Sequence, residues 1–300
     1  VMPIKSSMSL AYAKEDKGGA SLGITSAISH GGNIVGFLLV SLLFFLLARA
    51  GIGKNERIGF FITFGGAALL MVVATAVSFR MPEHHGKVRR SRLYIRKKYT
   101  KYYMLEIFYG ARKQIFLTFA PYVMILVYGA DTSLIALLLA ICALFGMVLS
   151  PAIGALVDRV GYKVVMVTDT LILIVVCLLY GFAHRIFPMH IAFIVVCVNF
   201  VLDSIISLAS MATNVYVRDL SESPEELTAT LSTGISVNHL ISILIALLGG
   251  WIWQIAGIEL LFTLSAILGV INSIFAATIT VPPPFSGMLS QAGDRAESQQ

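Results

Sequence analysis

Five polar side chains in two otherwise apolar stretches carry most of the chemical potential of this 300-residue chain. Glu106, Arg112, Lys113 and Gln114 lie in one run and Asp203 in another. An ionised group at the centre of a bilayer costs roughly 2.5–3.5 kcal/mol on insertion scales, so it persists mainly where it faces protein or water. A guanidinium such as Arg112 offers two parallel donors that match the two oxygens of a carboxylate or phosphate. A carboxyl such as Asp203 can bind a cationic group or take up and release a proton. Glu106 and Lys113 are seven residues apart on one helical face and can form an internal ion pair, which leaves Arg112 without a partner on its own helix.

The surrounding polar pattern extends these sites. Asn199, Asp203, Ser207, Ser210 and Asn214 recur at intervals of three or four, which predicts one polar face, either a wall of a water-filled cavity or a seam of interhelical hydrogen bonds. Ser26, His30 and Asn33 share a face elsewhere, as do Ser232, Ser236 and His239. Each histidine can bond a neighbouring helix or relay a proton, its ordinary pKa being near ~6.5. Asp169 lies about two turns into another apolar run and reads as a structural partner for the charged hairpin at 154–163.

Lipid dictates what must hold these groups. The chain is 57% apolar and 13% charged, with a mean hydropathy of +0.86, values outside the soluble globular range. Backbone exposed to lipid must satisfy its own hydrogen bonds, so each run of about 20 apolar residues reads as a helix. Eight complete crossings are expected at 22–49, 58–79, 103–129, 132–157, 163–183, 188–217, 228–254 and 257–280. Helix 228–254 has a defined start, with Ser223 as N-cap, Pro224 at the first position and Glu226 completing a capping box. Pro121, after Thr118, is placed to kink the 103–129 helix.

Charge sets orientation. Nine basic residues stand against one acid, Glu83, between 80 and 101, which places that segment in the cytoplasm. Counting alternate loops from there puts sixteen of the 22 basic residues inside. The tail after Pro282-Pro283-Pro284 is polar, without apolar periodicity, and is expected to be cytoplasmic and disordered.

Gly154-Ala155-Leu156-Val157-Asp158-Arg159-Val160-Gly161-Tyr162-Lys163 lies between two apolar runs. It resembles the G-x-x-x-D-R-x-G-x-[RK] loop of the major facilitator superfamily, matching at Gly154, Asp158, Arg159, Gly161 and Lys163, with Tyr162 where a basic residue is common. The resemblance implies an all-α integral membrane bundle of twelve helices in two halves, with this loop joining the second and third helices of a half on the cytoplasmic side. Four crossings follow the loop, which then joins helices eight and nine. On that count 1–79 holds the end of helix four with helices five and six, 80–102 is the cytoplasmic linker, 103–281 is the six-helix C-terminal half, and 282–300 is the tail. The echo of Ala11–Glu15 in Val215–Asp219, with His30 and His239 beyond, fits paired halves.

The family also implies function. Helices seven and ten line the central path, so Glu106, Arg112, Lys113, Gln114, Asn199 and Asp203, with His30 on helix five and His239 on helix eleven as candidate proton relays, are the expected substrate or proton pathway. Asp158, with Arg159, is expected to hold the inner gate shut against a neighbouring helix start. The expected protein is a monomeric secondary transporter in a prokaryotic plasma (inner) membrane, moving a small solute by alternating access with protons as coupling ion. An organic anion is one candidate solute, and membrane lipids are its other partner. The alternative is a transporter-like sensor or scaffold that moves nothing.

Other chemistries lack support. Gly19–Gly23 fits G-x-S-x-G without the preceding strand a nucleophile elbow needs. Cys142, Cys177 and Cys197 are isolated, His84-His85 lacks ligand-spaced neighbours, and no phosphate-binding glycine loop is present. No enzyme, metal, cofactor or nucleic-acid partner is therefore expected. Gly32 and Gly36 read as a close helix-packing pair.

Overall fold

The computed structural model describes residues 18–50, 56–78 and 94–280. The echo at 11–15, His84-His85, most of the basic segment and the tail from 281 onward lie outside these residues. No strand occurs among the described residues. Helices α1 (Gly18–Arg49) and α2 (Glu56–Ser78) come first. A 3-10 turn (Lys97–Tyr99) leads into α3 (Thr100–Gln114), a π turn (Ile115–Phe119) and α4 (Ala120–Tyr128). Next come α5 (Thr132–Val160), α6 (Tyr162–Ile186) and α7 (Met189–Ile206). A second 3-10 turn (Ser207–Ser210), α8 (Met211–Leu220) and α9 (Pro224–Ala277) complete the order.

Six of these stretches are long and apolar enough to cross a membrane among the described residues. The run 100–128 is absent from that set; its first half carries Lys101, Glu106, Arg112, Lys113 and Gln114, and a π turn interrupts it. Pro121 has no N–H to give the carbonyl four residues back, and the helix relieves this by widening, where the sequence predicts a kink. Conversely, α9 contains a break at Gly257, whose φ of 78° and ψ of −174° are not helical. It separates the two runs read from sequence as 228–254 and 257–280.

Local signals explain the other boundaries. Gly129, at φ 69°, ends α4 in a left-handed cap, with its N–H on Ile125 O and the Ala130 N–H on Met124 O. Asp131 then caps α5 by accepting from the Leu134 N–H at 2.8 Å. Ser223 caps α9 as expected, accepting from the Glu226 N–H at 3.2 Å. Glu226 reaches back one residue further than a capping box requires, to the Glu222 N–H at 3.0 Å.

Two buried apolar clusters form the core of the bundle from α3 onward. One gathers Tyr99, Tyr102, Leu105, Tyr162, Met166, Val215 and Leu227; the other gathers Phe116, Val123, Leu173, Tyr180, Phe200 and Phe262. Arg112 on α3 and Asp169 on α6 fall between these clusters in sequence, and Asp203 on α7 falls between Phe200 and Leu208. Apolar side chains cover the outside, as a lipid solvent requires. Helix α1 packs along α5, while α2 touches the rest mainly through α1, where Phe44 meets Phe60 at 5.1 Å between ring centroids.

Candidate functional site

The end of α5 meets the start of α1 without room for side chains. A Cβ on Gly19 would lie 2.3 Å from Gly154 O, and one on Gly154 would lie 2.1 Å from Gly19 O. Close approach lets the Asp158 carboxylate receive the Gly19 N–H at 2.8 Å and the Ala20 N–H at 2.9 Å, one on each oxygen. These amides open α1 and carry the positive end of its dipole, so an anion belongs there. Gly161, at φ 85°, turns the chain from α5 into α6, a conformation that favours glycine. Arg159 is exposed and Lys163 half-buried, and neither has an ion pair among the described residues. The carboxylate acts here through backbone amides, and Arg159 is not its partner.

Further along the same pair of helices, Gly23 lies against Ser150, Ser150 Oγ is 3.4 Å from Ser26 Oγ, and the His30 ring occupies the space a side chain at Gly146 would fill. Ser41 and Ser133 exchange hydrogen bonds near the far end. The sequence predicts close packing at Gly32 and Gly36, yet a Cβ at either would meet nothing within 4 Å. They lie on the side of α1 turned away from α5.

Deep in the bundle, Arg112 is buried and doubly engaged. Its Nη1 donates to Asp169 Oδ1 at 2.8 Å, while Nε and Nη2 donate to Asp203 Oδ1 at 3.3 and 3.1 Å. Tyr109 OH donates to Asp169 Oδ2 at 3.1 Å. Three helices, α3, α6 and α7, each contribute one charge. Burying an arginine requires such partners, because an isolated charge in this surrounding would cost several kcal/mol. Two expectations change. Arg112 is not an open fork awaiting an anion, since carboxylates already fill it. Asp169 partners Arg112 and not the 154–163 hairpin.

Residues 102–297 match the family model described as Major Facilitator Superfamily. The chain belongs to the Major Facilitator Superfamily. It is a multi-pass membrane protein of a family whose members are transporters of small molecules. A comparison with curated proteins gives no match.

Within this facilitator, the other sequence-predicted residues separate into buried and open sets. The stripe along α7 and α8 does not keep one face. Asn199 and Asp203 are buried, whereas Ser207 is exposed and Ser210 and Asn214 are half-buried; the 3-10 turn at 207–210 winds more tightly than an α-helix and rotates the residues beyond it. Glu106 is buried and accepts from Asn238 Nδ2 at 3.0 Å, so its partner is α9 and not Lys113. The same contact is close-packed: a Cβ on Gly110 would fall 2.7 Å from Asn238 O, and Ser242 Oγ donates to Gly110 O. Lys113 is exposed, Gln114 donates to Thr118 Oγ1 at 2.6 Å, and His239 is exposed. No group of three or more metal-ligating side chains occurs among the described residues.

A second polar cluster, invisible in spacing, fixes the start of α3. Lys98 Nζ lies 2.9 Å from both Glu222 and Glu226. Tyr94 OH donates to Glu226 at 2.9 Å, its N–H donates to Thr233 Oγ1, and Arg96 sits 4.9 Å over its ring. Burial alone would lower the Lys98 pKa, but the bonds to the two carboxylates outweigh it and raise it. The carboxylates on the far side of the α8–α9 turn were the missing half of the basic segment's signal.

Proposed function

We propose that this facilitator is a proton-coupled secondary transporter that moves a small solute by alternating access. The observation that carries this reading is the Asp158 carboxylate seated on the first amides of α1, because a contact made of two hydrogen bonds and a dipole can be made and broken as units rock. In this reading the contact is the inner gate, the basic segment at 80–101 is cytoplasmic, and the membrane is a prokaryotic plasma membrane.

The solute meets Lys113 first. It is the cation of α3 that remains exposed, next to Gln114 and Thr118, while Arg112 is committed to two aspartates. An organic anion is therefore the proposed solute class. The test is uptake into proteoliposomes of labelled organic anions, cations and neutral sugars, with and without an imposed pH gradient. Accumulation of an anion that rises with the gradient and falls in Lys113→Gln is the expected result. Movement of no solute in either direction by folded protein would overturn transport in favour of a sensor or scaffold.

A further inference from the structure

We infer that Asp203 Oδ2 is the single proton-exchange position of the buried Arg112–Asp169–Asp203 cluster, and that Asp169 is its permanently ionised positioning partner. This gives the coupling proton of the proposed cycle an address, and in that sense it rests on the transport reading.

Charge and geometry divide the two aspartates. An arginine stays protonated in any protein environment, so two carboxylates around one guanidinium leave one negative charge uncompensated, which a single proton removes. Asp169 offers no oxygen free of a hydrogen bond to that proton. One of its oxygens accepts from Arg112 and the other from Tyr109, and its side chain is 1% exposed. At Asp203 both arginine donors converge on Oδ1. Oδ2 has no hydrogen bond among the described residues, and the side chain is 12% exposed. A proton arriving from water binds there as O–H without displacing an existing bond.

Among the described residues around Asp203, no group besides Asp169 competes for that charge. Around Asp203 stand Arg112 from α3, Asp169, Cys177 and Tyr180 from α6, and Cys142 from α5. The thiols and the phenol are neutral neighbours, so the exchangeable charge resides on the carboxylates. Position adds a consequence. Arg112 precedes the π turn at 115–119 by three residues and Asp203 precedes the 3-10 turn at 207–210 by four. Protonating Asp203 weakens the bond joining the two helices just where both are irregular and able to bend.

Infrared difference spectra of the purified protein, taken between alkaline and acid pH, read the protonated carboxyl C=O stretch directly and require no solute. One such band should vanish in Asp203→Asn and persist in Glu106→Gln and Tyr109→Phe. In Asp203→Glu the band should remain at a shifted frequency, and this variant decides alone if the asparagine protein does not fold. A band unchanged by both Asp203 substitutions, or one removed by Glu106→Gln, would overturn the assignment. Because liposome uptake is a separate measurement, transport can stand when this assignment fails, and the reverse.

Discussion

Removing the Asp158 carboxylate should open the contact between α1 and α5 by about two orders of magnitude. The side chain receives two amide N–H groups at 2.8 and 2.9 Å, and a hydrogen bond to a charged group contributes about 1.5–3 kcal/mol. The two bonds share one carboxylate and are only partly buried, so they do not add fully. Together with the helix dipole they come to about 3 kcal/mol, or about a hundredfold in the opening equilibrium. The assay uses a single cysteine at Ser150, a fully buried position on the same crossing, after Cys142, Cys177 and Cys197 are replaced by serine or alanine. Alkylation by a water-soluble maleimide then reports how often the crossing opens. Asp158→Ala should label about a hundredfold faster, and Asp158→Asn, which keeps a carbonyl acceptor and loses the charge, by an intermediate factor. Gly19→Ala should also accelerate labelling with Asp158 intact, because its Cβ would meet Gly154 O at 2.3 Å. A rate in Asp158→Ala within about threefold of the parent, less than 1 kcal/mol, would refute the latch.

Two further outcomes test the packing. Arg112→Gln leaves two buried carboxylates around a neutral amide and should cost about 3–5 kcal/mol, read as a large drop in melting temperature, with recovery when Asp169→Asn and Asp203→Asn are added. Lys98→Met should lower the melting temperature by a constant amount from about pH 5 to about pH 10.5, where Lys98 and its carboxylate partners are all charged, since a group whose pKa is raised on folding contributes fully below its ordinary value. The gap between parent and variant should close as pH climbs towards the raised value of Lys98, and again in acid as pH falls through about 2, the lowered value of Glu226.

The helices were legible because lipid imposes a single solution on apolar backbone. Runs at 132–157 and 163–183 reappear as Thr132–Val160 and Tyr162–Ile186, lengthened at their polar ends where the caps lie. The 154–163 loop was legible in residue type, since Gly161 needs a positive φ and Asp158 needs amides to face. Its receiving surface was not. Gly19 looked like part of a spurious nucleophile pattern, and nothing local shows that its missing side chain makes room for Gly154. Irregular turns escaped for a related reason: a π turn and a 3-10 turn each shift the facing of all later residues, so the stripe from Asn199 to Asn214 could not be projected from a regular period.

The fate of the adjacent cations shows what a helical period can and cannot decide. Neighbours on an α-helix point about 100° apart, so Arg112 and Lys113 could not both face the same surroundings. The sequence leaves open which of them turns inward, because both lie within the same run, Ala111-Arg112-Lys113-Gln114-Ile115. Side-chain chemistry supplies the physical reason for the outcome. A planar guanidinium can give separate donors to two carboxylates on different helices at once, as Arg112 does to Asp169 and Asp203, whereas an ammonium concentrates its charge at one strongly hydrated point. The arginine can therefore join three helices inside the bundle, and the lysine is better kept in water. In the proposed reading this division moves the anion-binding role from Arg112 to Lys113, so that the solute would meet one face of α3 while Arg112, on another, holds the proton-exchanging Asp203 of α7.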